Sequence, residues 1–217
     1  MENFIESVKS SLSILLDNPL TILTIIGVVL IILAIIKFKK IKLDAKIMAR
    51  IGIALALASI LNMIKIYAMP NGGGSISLGS MIPILLIAFM YGPEIGLLTG
   101  FLFGMINLTT NAFILHPIQV LFDYPLPFMA IGIAGYFRKN IFLAATIGMF
   151  LKFLSHFISG YAFFGEYAWA GWSPALYSLV VNGIIVGGEL IVCLIILSVL
   201  PINRIIKETN TDTSNSY

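Results

Sequence analysis

The chain has 217 residues, of which 59% are hydrophobic and only 11% are charged. This composition, with a mean hydropathy of +1.02, excludes an ordinary water-soluble domain, in which about 25% of the residues carry a charge. The single cysteine, Cys193, excludes a disulfide framework and a cysteine-based metal site. The composition therefore indicates an integral membrane protein, and we expect neither a cofactor nor nucleic acid as a partner.

Seven apolar segments follow one another along the chain, and a helix that crosses the bilayer needs about 20 apolar residues. We place the segments at about residues 19–37, 47–68, 76–91, 93–111, 118–137, 141–164 and 174–200. The stretch before the first segment is net acidic and no small-residue cleavage site follows, so we expect a retained anchor and not a signal peptide. The predicted fold class is an all-α polytopic membrane protein.

Most of the basic residues fall in three places between or after these segments, at residues 37–50, 138–139 and 204–207. Seven alternating helices put all three places on one side of the membrane, and the positive-inside rule assigns that side to the cytoplasm. We therefore predict a multi-pass protein with its N-terminus outside and its C-terminus in the cytoplasm. The polar residues at the end of the chain are expected to form a disordered tail.

Small residues recur at four-residue spacing in the second segment, where Gly52 is followed by Ala56 and Ala54 by Ala58. Such a smooth face favours close helix packing in a membrane, either within this chain or against a partner. The glycines that recur at the same spacing in the fourth segment are expected to pack inside the chain. The glycine-rich loop MPNGGGSISLGS is interpreted either as a flap over a site or as a plain turn.

Few ionisable residues remain at membrane depth once the basic clusters and the loops are set aside: Asp123, Lys152, His156 and Glu189. An unpaired charge at the centre of a bilayer costs about 3 kcal/mol on insertion scales, so such residues usually pair or line a polar cavity. Lys152, His156 and Gly160 recur every four residues and therefore share one face of the sixth segment.

Two further segments carry polar residues in their outer halves. In the last segment, one face is formed by Tyr177, Ser178, Asn182 and, further along, Glu189. In the fifth segment, Asp123 and Tyr124 precede two prolines that can bend the helix. We predict that the polar faces of these three segments converge on one pocket that opens outward.

Each of these residues also has a structural interpretation. Lys152 can form an ion pair with Asp123 or with Glu189, and His156 can hydrogen-bond between helices. The tyrosine and the asparagine of the last segment can likewise bond across helices. Glu189 lies closer to the cytoplasm than the other polar residues of its helix, so we expect it to have a structural or coupling role and no ligand contact.

Aromatic residues cluster near the outer end of the sixth segment: Tyr161, Phe163, Phe164, Tyr167, Trp169 and Trp172. They form either an interfacial belt or a surface that stacks against a flat, cationic ring. Ser159 and His156 are spaced as a nucleophile and its base could be, so an intramembrane hydrolase is an alternative, although no catalytic motif surrounds them. The sequence contains no ATP-binding motif, and we do not expect an enzyme.

Three stretches together resemble a known family: PNGGGSISLGSMIPILLIAFMYGPEIGLLTGFLFGMINL, HPIQVLFDYPLPFMAIGIAGYFR and FLKFLSHFISGYAFFGEYAWAGWSPALYSLVVNG. They are similar, in that order, to the thiamine-specific substrate-binding subunits (S components) of energy-coupling factor transporters, the ThiT family. The resemblance runs from about residue 47 to 200. It implies a six-helix core that captures thiamine from outside the bacterial cell, with one additional N-terminal transmembrane helix in this chain.

The resemblance also implies roles for individual residues. The substrate-binding residues of the family fall on Asp123, Tyr124, Lys152, His156, Gly160, Phe164, Tyr177, Ser178 and Asn182. The helix face that docks on the partner subunit falls on Ala54 and Ala58. Asp123 is expected to balance the positive charge of the thiazolium ring, and Lys152 to orient and neutralise that carboxylate. Phe164, or else Trp169 or Trp172, is expected to stack on the ring.

The expected partners are thiamine, the lipid bilayer, a transmembrane T component and two cytosolic ATPases. The expected domains are residues 1–46 with the additional helix and a basic linker, 47–200 with the substrate-binding core, and 201–217 with a cytoplasmic tail. An S component for pyridoxine or for a hydroxymethylpyrimidine precursor remains an alternative from the same class.

Overall fold

The computed structural model describes residues 19–39, 41–70, 72–202 and 204–207. The helices are α1 (Pro19–Phe38), α2 (Ala45–Met63), α3 (Ile82–Tyr91), α4 (Pro93–Thr110), α5 (Pro117–Asp123), α6 (Pro125–Ile131), α7 (Ile141–Phe163) and α8 (Pro174–Val199). Two 3-10 helices, Gly132–Phe137 and Gly165–Tyr167, and two strands, β1 (Lys65–Ala68) and β2 (Ser75–Ser77), complete the described elements. The predicted all-α fold class is confirmed, apart from one short hairpin.

Five described segments are long and apolar enough to cross a membrane: Leu20–Phe38, Ala45–Met63, Pro117–Phe137, Ile141–Phe163 and Pro174–Val199. The predicted third span is shorter, because α3 has only 10 residues. A helix of that length rises about 15 Å, half the thickness of the hydrocarbon core. Its residues Ile84, Leu85 and Phe89 are fully enclosed by the rest of the chain. The prediction of a membrane-length helix at 76–91 is therefore wrong.

The glycine-rich segment forms an antiparallel hairpin in which Tyr67 of β1 lies opposite Ile76 of β2. Helix α2 ends at Met63, so the predicted second span is too long at its C-terminal end. Gly72 and Gly74 have φ angles of 73° and 89°, which glycine adopts without the steric cost of a Cβ atom. These two residues let the chain reverse, and the residues on either side pair as strands.

The predicted fifth span is one apolar crossing but not one helix, because the chain bends at Tyr124 between α5 and α6. Pro125 begins α6 and has no backbone N–H with which to continue the hydrogen bonding of α5. The bend leaves Asp123 as the last residue of α5. The carboxylate therefore lies at a break in the helix, where side chains from several elements can reach it.

The glycines of α4 bring this helix into backbone contact with the bent segment. A Cβ atom on Gly100 would collide with the carbonyl oxygen of Phe128, and one on Gly104 with the carbonyl oxygen of Tyr124. Rotating a side chain cannot relieve these collisions, because the obstructing atoms belong to the backbone. The prediction that this stripe packs inside the chain is confirmed, and the contact fixes the backbone beside Asp123.

The two small-residue stripes of α2 point in different directions. Ala54 and Ala58, which the resemblance assigned to partner docking, have exposed fractions of 6% and 0% because they pack inside this chain. Gly52 and Ala56 are exposed, and a Cβ atom on Gly52 would meet nothing within 4 Å. Docking of a partner subunit at Ala54 and Ala58 therefore stays a prediction, and the exposed stripe of this helix is the one with Gly52 and Ala56.

Helices α3, α7 and α8 enclose the main hydrophobic core. The chain after α8 belongs to it as well, because Ile202 is only 2% exposed and Ile205 and Ile206 pack against the same cluster. Packing thus continues past the predicted domain boundary at residue 200. Of the predicted disordered tail at residues 207–217, Lys207 lies in a helical turn and residues 208–217 lie outside the described residues, as do residues 1–18.

Candidate functional site

A cavity of about 350 Å³ lies between the hairpin and helices α2, α4, α5, α7 and α8. Every substrate-binding residue that was predicted contributes to its lining: Asp123, Tyr124, Lys152, His156, Gly160, Phe164, Tyr177, Ser178 and Asn182. The fold thus brings together polar helix faces that are far apart in the sequence. Contact of these residues with a ligand stays a prediction.

The carboxylate of Asp123 has hydrogen-bonding neighbours at both of its oxygens. Gln119, one helical turn earlier, donates from Nε2 to Oδ2 of Asp123 at 2.5 Å, and the Nδ1 atom of His156 lies 3.2 Å from Oδ1. Gln119 is itself fixed, because Nε2 also donates to the carbonyl oxygen of Phe113 at 3.0 Å. Two neighbours on different helices therefore orient the carboxylate.

Tyr124 holds the loop between α4 and α5 against the cavity. Its hydroxyl oxygen accepts a hydrogen bond from the backbone N–H of Phe113 at 2.6 Å. His116 caps the start of α5, where its Nδ1 atom accepts a hydrogen bond from the N–H of Ile118 at 3.2 Å. Together these bonds fix both ends of the loop that presents Phe113 to the cavity.

Lys152 and Glu189 both line the cavity and form a buried ion pair, with side-chain exposures of 5% and 4%. Ser77 of β2 donates from Oγ to Oε1 of Glu189 at 2.9 Å, and the Lys152 ammonium lies 5.0 Å from the centre of the Phe128 ring. The expectation that Lys152 neutralises Asp123 is therefore corrected. Of the two pairings considered from the sequence, the structure contains the one with Glu189.

The described lining of the cavity has an uneven charge distribution when histidine is counted as neutral. Lys152 and Glu189 cancel each other, whereas the bonds that Asp123 makes are to Gln119 and His156. Lys65 also lines the cavity, but it lies on the exposed strand β1. The interior next to Asp123 therefore favours a small organic cation.

Helices α7 and α8 come into close contact at Gly160, which lines the cavity together with Asp123. A Cβ atom there would collide with Oγ of Ser178, which is why a glycine fits. Ser178 donates from Oγ to the carbonyl oxygen of Phe157 at 2.7 Å, and Asn182 donates from Nδ2 to the carbonyl oxygen of His156 at 3.2 Å. The amide hydrogens of Asn182 thus bind protein atoms, and its Oδ1 is the atom that can accept a hydrogen bond from a ligand.

Aromatic rings form another part of the cavity lining. Phe164 is 7% exposed and stacks on Phe113 with a centroid distance of 6.0 Å and an interplanar angle of 27°. Trp169 packs edge-on against Tyr177 at 5.7 Å, and neither it nor Trp172 belongs to the lining. Of the three candidates for stacking on a ligand, Phe164 is thus the one that faces the cavity.

Several lining residues were missed from the sequence: Asn62, Asn107, Asn111, Phe113, Gln119 and Phe128. Gln119 had a usable signal, since it precedes Asp123 by four residues on the same helix face. Asn62 of α2 donates from Nδ2 to Oδ1 of Asn107 in α4 at 2.7 Å. No local pattern relates these two helices, so their contribution depends on the tertiary packing.

The geometry gives no support to the hydrolase alternative. Ser159 is completely buried, does not line the cavity, and its Oγ atom has no hydrogen-bond partner among the described residues. His156 is directed at Asp123 instead. Within the described ranges, the carboxylates, histidines and cysteine form no group of three or more that could hold a metal ion.

Comparison with known proteins gives consistent results. A protein-family model described as Thiamine transporter protein (Thia_YuaJ) matches residues 48–208. The chain is 38% identical over 169 residues to the thiamine transporter ThiT of Bacillus subtilis (strain 168), covering 69% of this chain and 87% of that protein. It is 32% identical over 123 residues to the thiamine transporter ThiT of Lacticaseibacillus paracasei, covering 48% of this chain and 61% of that protein.

A solved structure of ThiT from Listeria monocytogenes has the same fold, with a TM-score of 0.63 at 33% sequence identity. The match covers 71% of this chain and 92% of that chain. The relatives are named as transporters, which agrees with the several membrane-length helices found here. The chain is therefore a multi-pass membrane transport protein and not an enzyme, and it belongs to the thiamine transporter family.

Proposed function

We propose that this chain binds thiamine in the cavity and acts as the substrate-binding subunit of an energy-coupling factor transporter. Membership of the thiamine transporter family supports this proposal. The observation that carries it is the environment of Asp123, a carboxylate that faces an aromatic cavity and is hydrogen-bonded to Gln119 and His156.

Thiamine joins a permanently cationic thiazolium ring to an aminopyrimidine, and the thiazolium would lie beside Asp123. Two unit charges 4 Å apart attract each other by about 4 kcal/mol at the effective dielectric constant of about 20 that suits partly buried sites. Phe164 would stack on the flat ring and exclude water from it. The carboxylate and the aromatic face thus select for a flat cation.

The aminopyrimidine would be recognised by hydrogen bonds. His156, Tyr177 and Asn182 line the cavity on α7 and α8 and offer both donors and acceptors. A ligand that lacks the matching groups leaves buried polar atoms unpaired, which costs about 1–3 kcal/mol for each group. These three side chains would therefore discriminate against cations of a different shape.

The hairpin would act as the lid of the site. Met69, Gly72, Gly73, Gly74 and Ser75 all belong to the cavity lining, so the turn of the hairpin and its flanks close one side of the cavity. A ligand that enters from this side requires the hairpin to move, as lids do in other binding sites. In the predicted orientation this side faces the exterior of the cell.

Delivery into the cell would require a transmembrane T component and two cytosolic ATPases, as the family resemblance implies. A shallow apolar groove of about 530 Å³ between α2 and α3 offers a docking surface for the T component. Exposed Ile53, Leu57 and Ile60 line it, with nearly buried Ala54 at its floor. Exposed Ala56 lies one helical turn from both Ile53 and Ile60 and therefore borders this groove.

Binding is tested with the purified full-length chain in mild detergent. Isothermal titration with thiamine, pyridoxine and hydroxymethylpyrimidine should give the highest affinity for thiamine, because only thiamine carries the thiazolium. Mass spectrometry of the small molecule retained after purification provides an independent assay. A higher affinity for pyridoxine or for the free pyrimidine would contradict the proposal in favour of the corresponding S component.

Delivery is tested by thiamine uptake in cells that also produce a T component and its ATPases. Ala56→Trp should abolish uptake and leave thiamine binding unchanged, because the added ring would obstruct helix docking without reaching the cavity. Val29→Trp is the control, since Val29 is 46% exposed on α1. Normal uptake by the Ala56 variant would refute docking at this face while leaving the binding proposal intact.

A further inference from the structure

Helix α1 precedes the segment that matches the family, which begins at residue 48. One face of α1 is open, as Ile25, Val29 and Leu33 illustrate with exposed fractions of 50%, 46% and 55%. The opposite face packs against α4, α5 and α6. The additional helix is therefore not an isolated anchor, because it is packed onto the elements that hold Asp123.

Gly27 of α1 packs against α5 next to the site. A Cβ atom on this residue would lie 3.2 Å from Cε2 of Phe122 and 3.4 Å from Cδ1 of Leu121. Phe122, only 3% exposed, forms a small core with Ala34 of α1 and with Leu126 and Met129 of α6. Gly27 thus lets α1 lie directly against the residue that precedes Asp123.

A second contact lies at the C-terminal end of α1. Lys37 donates from Nζ to the hydroxyl oxygen of Tyr136 at 2.9 Å, and its ammonium lies 5.6 Å from the centre of the same ring. Tyr136 belongs to the 3-10 helix that follows α6. The bent segment is therefore attached to α1 near Asp123 and again at its far end.

Helix α5 needs such support because it has only seven residues, and isolated helices below about 12 residues are marginal. On the side away from α1, Ser155 of α7 donates from Oγ to the carbonyl oxygen of Phe122 at 2.8 Å. Phe122 is thus held between α1 and α7, while Asp123 and Gln119 face the cavity. Any displacement of Phe122 moves the carboxylate.

We propose that α1 is a positioning element of the binding site, in which Gly27 sets the place of Phe122 and thereby of the Asp123 carboxylate. This inference rests on the proposed thiamine-binding function. Since α1 supports the carboxylate and not the hydrogen-bonding residues of α8, it acts on the part of the site that would hold the cationic ring. A change in α1 should therefore alter affinity for a cation more than affinity for a neutral ligand.

The test is a change of Gly27→Leu, which adds side-chain bulk against Phe122 and favours the helical conformation of α1 itself. Thiamine affinity of the purified full-length variant should fall about tenfold, which corresponds to about 1.4 kcal/mol. This value lies within the range of interaction energies found between residues in contact. Affinity for neutral hydroxymethylpyrimidine should change by less than about threefold, because α1 supports the carboxylate and not the hydrogen-bonding residues of α8. Val29→Phe adds comparable bulk on the exposed face and should change neither affinity.

A double-mutant cycle separates positioning from a general loss of structure. In an Asp123→Asn background, Gly27→Leu should have little further effect on thiamine affinity, because the charge that α1 positions is already absent. Equal losses for both ligands, or an unchanged thiamine affinity, would overturn the inference. If the Gly27 variant does not fold, Lys37→Met carries the same comparison through the contact with Tyr136.

The binding proposal and the α1 inference fail in different ways. Absence of thiamine binding by the unmodified chain refutes the binding proposal before any variant is made. Thiamine binding that is indifferent to Gly27→Leu and to Lys37→Met refutes the role of α1 alone.

Discussion

Two carboxylates line the same cavity, and their surroundings differ. Glu189 forms an ion pair with Lys152, accepts a hydrogen bond from Ser77 and has a side-chain exposure of 4%. Asp123 interacts with Gln119 and His156, and its side chain is 16% exposed. Both acids were visible in the sequence as residues at membrane depth, but only one of them has a cationic lysine as its partner.

The difference teaches that the partner, and not the residue type, decides whether a buried acid is available to a ligand. A compensated pair such as Lys152–Glu189 contributes little net charge, and breaking it leaves one charge buried without compensation. Asp123 lies at the cavity wall, and the hydrogen-bonding partners that the structure gives it are Gln119 and His156 and not a lysine. The Lys152–Glu189 pair should therefore govern stability, and Asp123 should govern thiamine affinity. Variants at each place separate the two effects.

The largest effect is expected for Glu189→Ala, which leaves the Lys152 ammonium buried without its counter-ion. The free energy of unfolding should fall by about 3–5 kcal/mol, the range found when one partner of a buried ion pair is removed. Denaturant or thermal unfolding in detergent measures this loss. Replacing both residues, as Glu189→Leu with Lys152→Met, should restore most of the stability, and a stable single variant would contradict the interpretation.

The next effect is expected for Asp123→Asn, which keeps the shape of the side chain and removes its charge. Thiamine affinity should fall about a hundredfold, because most of the attraction between the carboxylate and the thiazolium is lost. Titration calorimetry measures the change, with hydroxymethylpyrimidine as the neutral comparison. A thiamine affinity equal to that of the unmodified chain would exclude Asp123 as the countercharge.

A smaller effect on affinity is expected for Gln119→Leu. This change removes the hydrogen bond to Oδ2 of Asp123 and puts an apolar side chain of similar size in its place. Thiamine affinity should fall about tenfold, near the lower end of the about 1.5–3 kcal/mol that hydrogen bonds to charged groups contribute, because His156 still contacts Asp123. If the variant binds thiamine normally, Asp123 is held in place without Gln119 and the two residues are not coupled.

The smallest effect is expected for Ser77→Ala, which removes the hydrogen bond to Oε1 of Glu189. The free energy of unfolding should fall by about 1 kcal/mol, the net contribution of a typical hydrogen bond, while thiamine affinity should stay nearly constant because Lys152 still compensates Glu189. Ser198→Ala is the matched control, since Ser198 is exposed and bonds locally to the carbonyl oxygen of Ile195. A loss of affinity larger than the loss of stability would place Ser77 in the binding site.

Much of the site was accessible from the sequence because helical spacing places residues on shared faces. Lys152, His156 and Gly160 recur every four residues, and all three line the cavity. The short α3 and the hairpin before it were missed, because an apolar run of 16 residues at 76–91 is equally compatible with a span and with a buried core element. The sequence could not show whether Lys152 pairs with Asp123 or with Glu189, since both carboxylates lie on other helices.

The sequence by itself determined that this chain is a helical membrane protein, which polar faces it carries and which family it resembles. Hydropathy and periodicity are local properties of the chain, so they can be read without knowing what each helix contacts. The tertiary structure alone decided that Ala58 is enclosed, that Glu189 and not Asp123 neutralises Lys152, and that α1 packs behind Phe122. These results depend on which helices are neighbours, and no pattern within one segment specifies its neighbour in space.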